Sequence, residues 1–221
     1  MILFELHPRN FENNNWIVAT FIFAFFLIAV LKNNFEKQFF EFCRLLLSNK
    51  YLKVYRDESQ LKTVFNVILF FINLISTTFL IQLLAVHYKY IAKNNGIFFI
   101  QIVTFLFVFI LIKFLLEKII GTLSDSEELI NVINLHKITY RSYIGALLLP
   151  ILLILFFNNS LSETFALPIV LIFLAFNVLI YLILLVKYQN ELLGKMFYFI
   201  LYLCGLEIAP YYFIYYLLTK K

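Results

Sequence analysis

Charged residues, glycine, proline and cysteine are all scarce in this chain of 221 residues. Charged residues make up 14% of it, against about 25% in soluble domains. It contains five glycines, four prolines and two cysteines. Two cysteines cannot build a disulfide framework, and so little charge cannot cover the exterior of a soluble fold of this size. The composition therefore excludes both a disulfide-stapled domain and a soluble globular domain.

Apolar residues take the place of the missing charge. They make up 63% of the sequence, with 28 phenylalanines and 14 tyrosines, whereas soluble domains have roughly 45–50%. The net charge of +5 is spread over the segments between apolar runs, so it indicates membrane topology and contact with anionic lipid rather than nucleic-acid binding. We expect an all-α integral membrane protein that has the lipid bilayer as its solvent and binds no nucleic acid.

Six apolar runs approach the length of about 20 residues that a membrane span requires. They cover residues 16–31, 64–86, 97–120, 143–157, 166–186 and 196–218. The fourth run is the shortest and contains Pro150, and only five spans would remain if it re-entered the membrane without crossing. We predict a single polytopic domain over residues 1–221 with about six transmembrane helices.

Two amphipathic segments lie between the spans. In residues 34–48, aromatic and aliphatic side chains recur at helical spacing between charged ones, which predicts a helix that either lies on the membrane surface or packs beneath the bundle. A second surface helix is predicted over 125–139, where Ser124 and Glu127 have the spacing of a capping box. Arg141 and its neighbouring tyrosines follow as an interfacial anchor of the fourth span.

The distribution of basic residues predicts the orientation. Twelve lysines and arginines lie in the loops on one side, five lie on the other, and Lys113 lies within a span. Because basic loops stay in the cytoplasm, we predict that both termini are periplasmic. A C-terminal alkaline phosphatase fusion should then be active and a C-terminal GFP fusion dark.

Glu207, near the middle of the sixth run, is the strongest candidate for a functional residue. An ionised side chain at that depth costs about 2.5–3.5 kcal/mol, so the carboxyl is either protonated or bound by a donor. Gly205 and Ala209 form a small-xxx-small face suited to close helix packing, and Pro210 leaves the Leu206 carbonyl without its helical donor. Glu207 can thus be a structural hydrogen-bonding residue, a proton- or ligand-handling residue, or a contact to a partner chain.

Lys113 is the other charge within a span. Either Glu117 one turn further on and snorkelling to the cytoplasmic end account for it, or it pairs with Glu207 across the bundle. The histidines do not form a metal set, because His87 and His136 are predicted on opposite sides of the membrane. No catalytic, cofactor-binding or nucleotide motif is present in the sequence, so we expect a protein that is not an enzyme and uses no cofactor.

The C-terminal stretch FYFILYLCGLEIAP at residues 197–210 resembles the signature of an uncharacterised membrane family of Bacteroidota, which is known only as a domain of unknown function. The segment 140–150 is similar to that family as well. The resemblance implies a location in the bacterial inner membrane, and it implies no activity.

Two functions remain. The first is a non-enzymatic subunit or scaffold of a bacterial envelope complex, such as secretion or motility machinery, with other membrane subunits or further copies of the chain as partners. The scarcity of intramembrane charge and the two enclosed faces of the last span favour it. The second is a small proton-coupled transporter that uses Glu207, for which Pro150 and Pro210 supply the helix interruptions that transporters use.

Overall fold

The computed structural model describes residues 15–45, 63–123 and 127–193, and these ranges are helical throughout apart from short connections. The helices are α1 (Asn15–Asn34), α2 (Glu36–Cys43), α3 (Val64–His87), α4 (Gly96–Leu123), α5 (Glu127–Phe157) and α6 (Asn159–Leu193). No strand occurs within the described ranges. The prediction of an all-α fold is confirmed.

Five of these helices are long and apolar enough to cross a membrane. They are α1, α3, α4, residues Ile130–Phe157 of α5 and residues Phe165–Leu184 of α6. Each contains the roughly 20 apolar residues that span about 30 Å of hydrocarbon. The fourth predicted run is among them despite Pro150, which lies inside the continuous helix α5. The sixth predicted run, 196–218, lies outside the described residues.

Helix α3 is the centre of the bundle. It contacts α1, α4, α5 and α6, and 56% of its span is buried against 6% of the spans of α4 and α6. Its thirteen buried residues include Asn66, Asn73, Ser76, Thr78 and Gln82. The polar side chains of α3 therefore point into protein, and the apolar faces of α4 and α6 form the periphery.

A cluster of five aromatic rings joins four helices at one end of the bundle. Phe79 of α3 lies at its centre, completely buried, and stacks on Phe21 of α1 with ring centroids 4.3 Å apart. Phe99 of α4 and Phe156 of α5 lie 4.8 and 5.1 Å from the same ring, and Trp16 packs on Phe99 at 5.2 Å. We call these five residues the aromatic cluster. Because one ring touches rings from three other helices, the cluster closes this end of the bundle.

Helix α2 packs against the opposite end. The chain kinks at Phe35 directly after α1, and Phe42 is buried between Phe65 of α3 and Tyr143 of α5, with ring centroids 5.9 and 5.5 Å away. Phe42 thus packs α2 against α3 and α5, whereas the position of segment 34–48 on the membrane surface stays a prediction. Residues 46–48 lie outside the described part of the chain.

The predicted surface helix at 125–139 and the predicted span at 143–157 are one continuous helix, α5. No glycine or proline separates them, since Gly145 and Pro150 both lie inside the span. Thirty-one residues form a helix of about 46 Å, so its first turns extend beyond the hydrocarbon. Helix α6 then begins at Asn159, where the sequence suggested a loop over 158–165. The boundaries differ because helix propagation costs little once a span is formed.

Candidate functional site

The candidate residues of the sixth run cannot be placed. Glu207, Gly205, Ala209 and Pro210 all lie outside the described residues. The structure places Lys113 on α4 and Arg141 on α5, both half-buried. Inside the bundle, the structure brings together the polar groups of other residues. They lie at two positions along the length of α5.

The first level is a buried ion pair between α4 and α5. Lys137 Nζ lies 3.6 Å from Glu117 Oε1, and the two side chains are only 7% and 5% exposed. The sequence suggested Lys113, on the same helix, as the neighbour of Glu117. The structure adds Lys137 from the next helix, because α4 and α5 form an antiparallel hairpin that brings their adjoining ends together.

Two further contacts define the register of this hairpin. Lys118 Nζ lies 3.8 Å from Glu127 Oε1, with both side chains nearly half exposed. A Cβ added to Gly121 would lie 3.4 Å from Glu127 Cα, so the two backbones approach closely there. The buried pair is thus flanked by an exposed pair of reversed polarity, which aligns α4 with α5.

The buried pair lies at the edge of the hydrocarbon layer. Counted from the far ends of the two helices, Gly96 of α4 and Phe157 of α5, both charged residues lie about one membrane thickness away, or roughly 20 residues. His136 beside Lys137 is also buried, and its Nδ1 lies 2.8 Å from the Val132 carbonyl oxygen of its own helix. We call this buried pair, with His136 beside it, the charged layer; it lies towards the end of the bundle opposite the aromatic cluster.

The second level is the crossing of α3 and α5 at Gly145. A Cβ added to Gly145 would lie 2.8 Å from Asn73 Oδ1 and 3.0 Å from Asn73 Cα, so only glycine lets the two helices come this close. The two helices run parallel. Before the crossing, Phe65 of α3 and Tyr143 of α5 both contact Phe42 of α2. After the crossing, Phe79 of α3 contacts Phe156 of α5. We call this contact the α3–α5 crossing.

Three polar atoms at or within one turn of this crossing are fully buried: Asn73 Oδ1, Ser76 Oγ and Ser142 Oγ. Their residues are 9%, 0% and 1% exposed, and none of the three atoms has a hydrogen-bond partner in the part of the chain that the structure describes. Buried polar atoms are normally satisfied by protein or by ordered water. The crossing is therefore the most polar unsatisfied point in the described bundle interior.

Three other polar residues of α3 make local hydrogen bonds, although the Oε1 of Gln82 is buried without a partner among the described residues. Thr77 and Thr78 donate to carbonyls of their own helix, Asn73 and Leu74, at 2.9 and 2.7 Å. Gln82 Nε2 donates to the Lys93 carbonyl oxygen at 3.0 Å, in the connection to α4. These bonds close within α3 or on the adjoining loop, because a threonine hydroxyl reaches the carbonyl one turn earlier more easily than a neighbouring helix.

No group of three or more His, Cys, Asp or Glu side chains that could hold a metal ion occurs among the described residues. The cysteine that the structure describes, Cys43, is a free thiol on α2. Burial raises its pKa above the ordinary value, which favours the neutral thiol over the reactive thiolate.

The sequence did not point to Lys137, Ser142 or Gly145. A signal for Lys137 was present, since only a few residues separate the third run, 97–120, from the predicted helix at 125–139. An antiparallel hairpin of these two segments would place residues 130–139 opposite the end of the third run that contains Glu117. No comparable signal marks Gly145 and Ser142, because their importance comes from a contact with a helix some seventy residues away in sequence.

Gly145→Ala should destabilise the protein by about 1–3 kcal/mol, as expected of overpacking a close interface. The new methyl group would meet Asn73, including its backbone Cα, so α3 and α5 must separate. Thermal unfolding of the purified protein in detergent measures the loss.

Gly96→Ala is the matched control. Its Cβ would lie 3.5 Å from the Trp16 ring, an ordinary contact, and alanine at a helical position costs less chain entropy than glycine. We expect an unchanged or slightly raised Tm for this variant. Equal Tm losses for the two variants would contradict the close approach at Gly145.

Comparison with known proteins gives one family match. The family described as Domain of unknown function (DUF4271) matches residues 17–218, which is nearly the whole chain and includes all the described helices from their first turns onward. No curated protein and no solved structure matches the chain significantly.

Proposed function

Because the chain belongs to the DUF4271 family, whose description names no activity, we propose a function from its architecture: a non-enzymatic multi-pass membrane subunit or scaffold. Its partners would be other membrane proteins or further copies of the chain, assembled into a bacterial envelope complex such as secretion or motility machinery.

The contrast between the core and the periphery is the observation that carries this proposal. The core around α3 holds the aromatic cluster towards one end and the Glu117–Lys137 pair towards the other. In contrast, only 6% of the α4 and α6 spans is buried. A rigid core with two peripheral helices suits a protein that offers helix faces to other membrane helices.

A polar side chain on the periphery supports a protein partner for α4. Gln101 is exposed on this helix, on the same face as Phe105 and Val108. An amide that faces hydrocarbon leaves its hydrogen bonds unmade, and transmembrane helices commonly satisfy such groups by hydrogen bonding to a neighbouring helix. The stripe that begins at Gln101 is therefore the proposed contact face.

Purification of the tagged full-length chain in a mild detergent, followed by mass spectrometry and native mass determination, tests this proposal. We expect a complex larger than one chain, from which Gln101→Leu reduces recovery of the partner. Thr104→Val is the matched control, because the Thr104 hydroxyl already donates to the Ile100 carbonyl of its own helix at 2.9 Å. Recovery of a lone monomer from several mild detergents would refute the subunit function.

The proposed location is the inner membrane of a bacterium, with both termini in the periplasm. It is supported by the excess of basic residues in the loops on one side and by the resemblance of residues 197–210 to a family of Bacteroidota. The Lys137 end of the bundle and α2 would then lie on the cytoplasmic side.

A proton-coupled transporter that uses Glu207 is the second candidate. The unsatisfied oxygens of Asn73, Ser76 and Ser142 favour it, because transporters use polar groups near the middle of the membrane.

Substitutions of Glu207 separate the two functions, since glutamine keeps hydrogen bonding and loses titration. For the subunit, Glu207→Gln should complement a deletion strain fully and Glu207→Leu should not. For the transporter, both variants should fail at equal expression. The phenotype of the deletion strain is the measurement, and immunoblots of the membrane fraction control for expression.

A further inference from the structure

The oxygens at the α3–α5 crossing form a short polar row inside an otherwise apolar core. Asn73 lies against Gly145, Ser76 lies one turn further along α3, and Ser142 lies one turn before Gly145 on α5. The residues around the row are buried and apolar, among them Leu69 and Leu149. Because the two helices run parallel, the order along the bundle axis is Ser142, Asn73, Ser76.

The spacing of this row does not suit direct hydrogen bonds. Asn73 Oδ1, Ser76 Oγ and Ser142 Oγ lie at or within about one helical turn of the crossing, yet none of them has a hydrogen-bond partner among the described residues. A direct hydrogen bond between oxygens requires a separation of about 2.7–2.8 Å. The three groups therefore need a small bridging ligand that can both donate and accept, and water is the smallest such ligand.

The chemistry of the row also fits water. An amide oxygen only accepts hydrogen bonds, whereas a serine hydroxyl can donate or accept. All three groups are neutral, and leaving them without a hydrogen-bond partner in an apolar core is unfavourable. Water supplies two donors and two acceptors, and a buried water typically makes about three such bonds.

We propose that ordered water molecules are bound at the α3–α5 crossing and bridge Asn73 Oδ1 to the hydroxyls of Ser142 and Ser76. The aromatic cluster limits this hydrated site, because Phe79 is only one turn beyond Ser76 and fully buried. The site thus lies between the charged layer at Lys137 and the aromatic cluster. It keeps the central helix pair polar at the position where the two backbones come closest.

A crystal structure of the full chain at a resolution that shows waters is the deciding experiment. We expect density peaks within about 3 Å of Asn73 Oδ1 and of each serine hydroxyl. A crossing without such density, direct hydrogen bonds among the three side chains, or a peak with the shorter contacts of a metal ion would each overturn the proposal.

A double-mutant cycle in detergent extends the test to solution. Asn73→Leu and Ser142→Ala remove two bridged partners, and their Tm changes should differ from additivity by at least about 2 °C, since partners of one network couple. The matched cycle replaces Asn73→Leu by Thr77→Val, whose hydroxyl is bonded within α3, and should be additive. Additive changes in the first cycle would contradict the bridging water.

Discussion

Lys137→Met should destabilise the protein by about 3–5 kcal/mol, because it leaves the Glu117 carboxylate buried without its partner on α5. In a chain of this size that loss lowers the Tm by roughly 6–20 °C. The large effect comes from burial: the two side chains are 7% and 5% exposed, so water cannot replace the lost ammonium group. Thermal unfolding in detergent, followed by circular dichroism, measures the change.

The exposed pair of the same hairpin supplies the control. Lys118→Met removes an ion pair whose side chains are 49% and 44% exposed, and such pairs contribute only about 0–1 kcal/mol. The double variant Glu117→Leu, Lys137→Met should regain most of the loss, since replacing a whole buried pair by apolar residues is often neutral. Equal losses at positions 137 and 118 would refute the burial of the pair.

Phe79→Ala should have an effect of similar size, about 3–5 kcal/mol, because it opens a cavity among rings from three other helices. The buried ring touches Phe21, Phe99 and Phe156, so its removal loosens α1, α4 and α5 together. Trp16 is the single tryptophan of the chain and belongs to the cluster. Its fluorescence should therefore change in the folded variant, in addition to the lower Tm.

Phe105→Ala is the control for this experiment. Phe105 is a phenylalanine of α4 that is 62% exposed and pairs only with Phe109 of the same helix among the ring contacts of the described residues. Its truncation should cost about 0.5–1.5 kcal/mol at most, the usual contribution of an aromatic pair, and leave the Trp16 fluorescence unchanged. If both truncations cost the same, the aromatic cluster does not hold the bundle together.

These two predictions bear on the proposed function. The core holds the aromatic cluster towards one end and the charged layer towards the other, whereas only 6% of the α4 and α6 spans is buried. Variants that weaken the core should lose stability and assembly together. In contrast, Gln101→Leu should lose assembly at unchanged Tm.

Much of the fold follows from the sequence, and the reason is the lipid solvent. A run of about 20 apolar residues must form a helix across the membrane because no other backbone conformation satisfies its own hydrogen bonds there. The spans at 64–86 and 97–120 could therefore be read directly, and even the short run before Phe157 proved to be part of a membrane-length helix. Helix ends were harder to predict, as α5 and α6 show. An apolar run ends at the membrane surface, whereas the helix that contains it can continue beyond that surface.

Chain composition and the order of apolar runs thus determined by themselves that this is an all-helical membrane protein. Only the tertiary structure decided that Lys137 meets Glu117, that Phe42 packs against α3 and α5 and that Gly145 lies against Asn73. The physical reason is that hydropathy is a property of one segment, whereas such contacts depend on the rotation and register of two helices. Lipid solvates every apolar helix face about equally well. Which face contacts protein is therefore decided by side-chain packing and by the few polar groups that need hydrogen bonds inside the bundle.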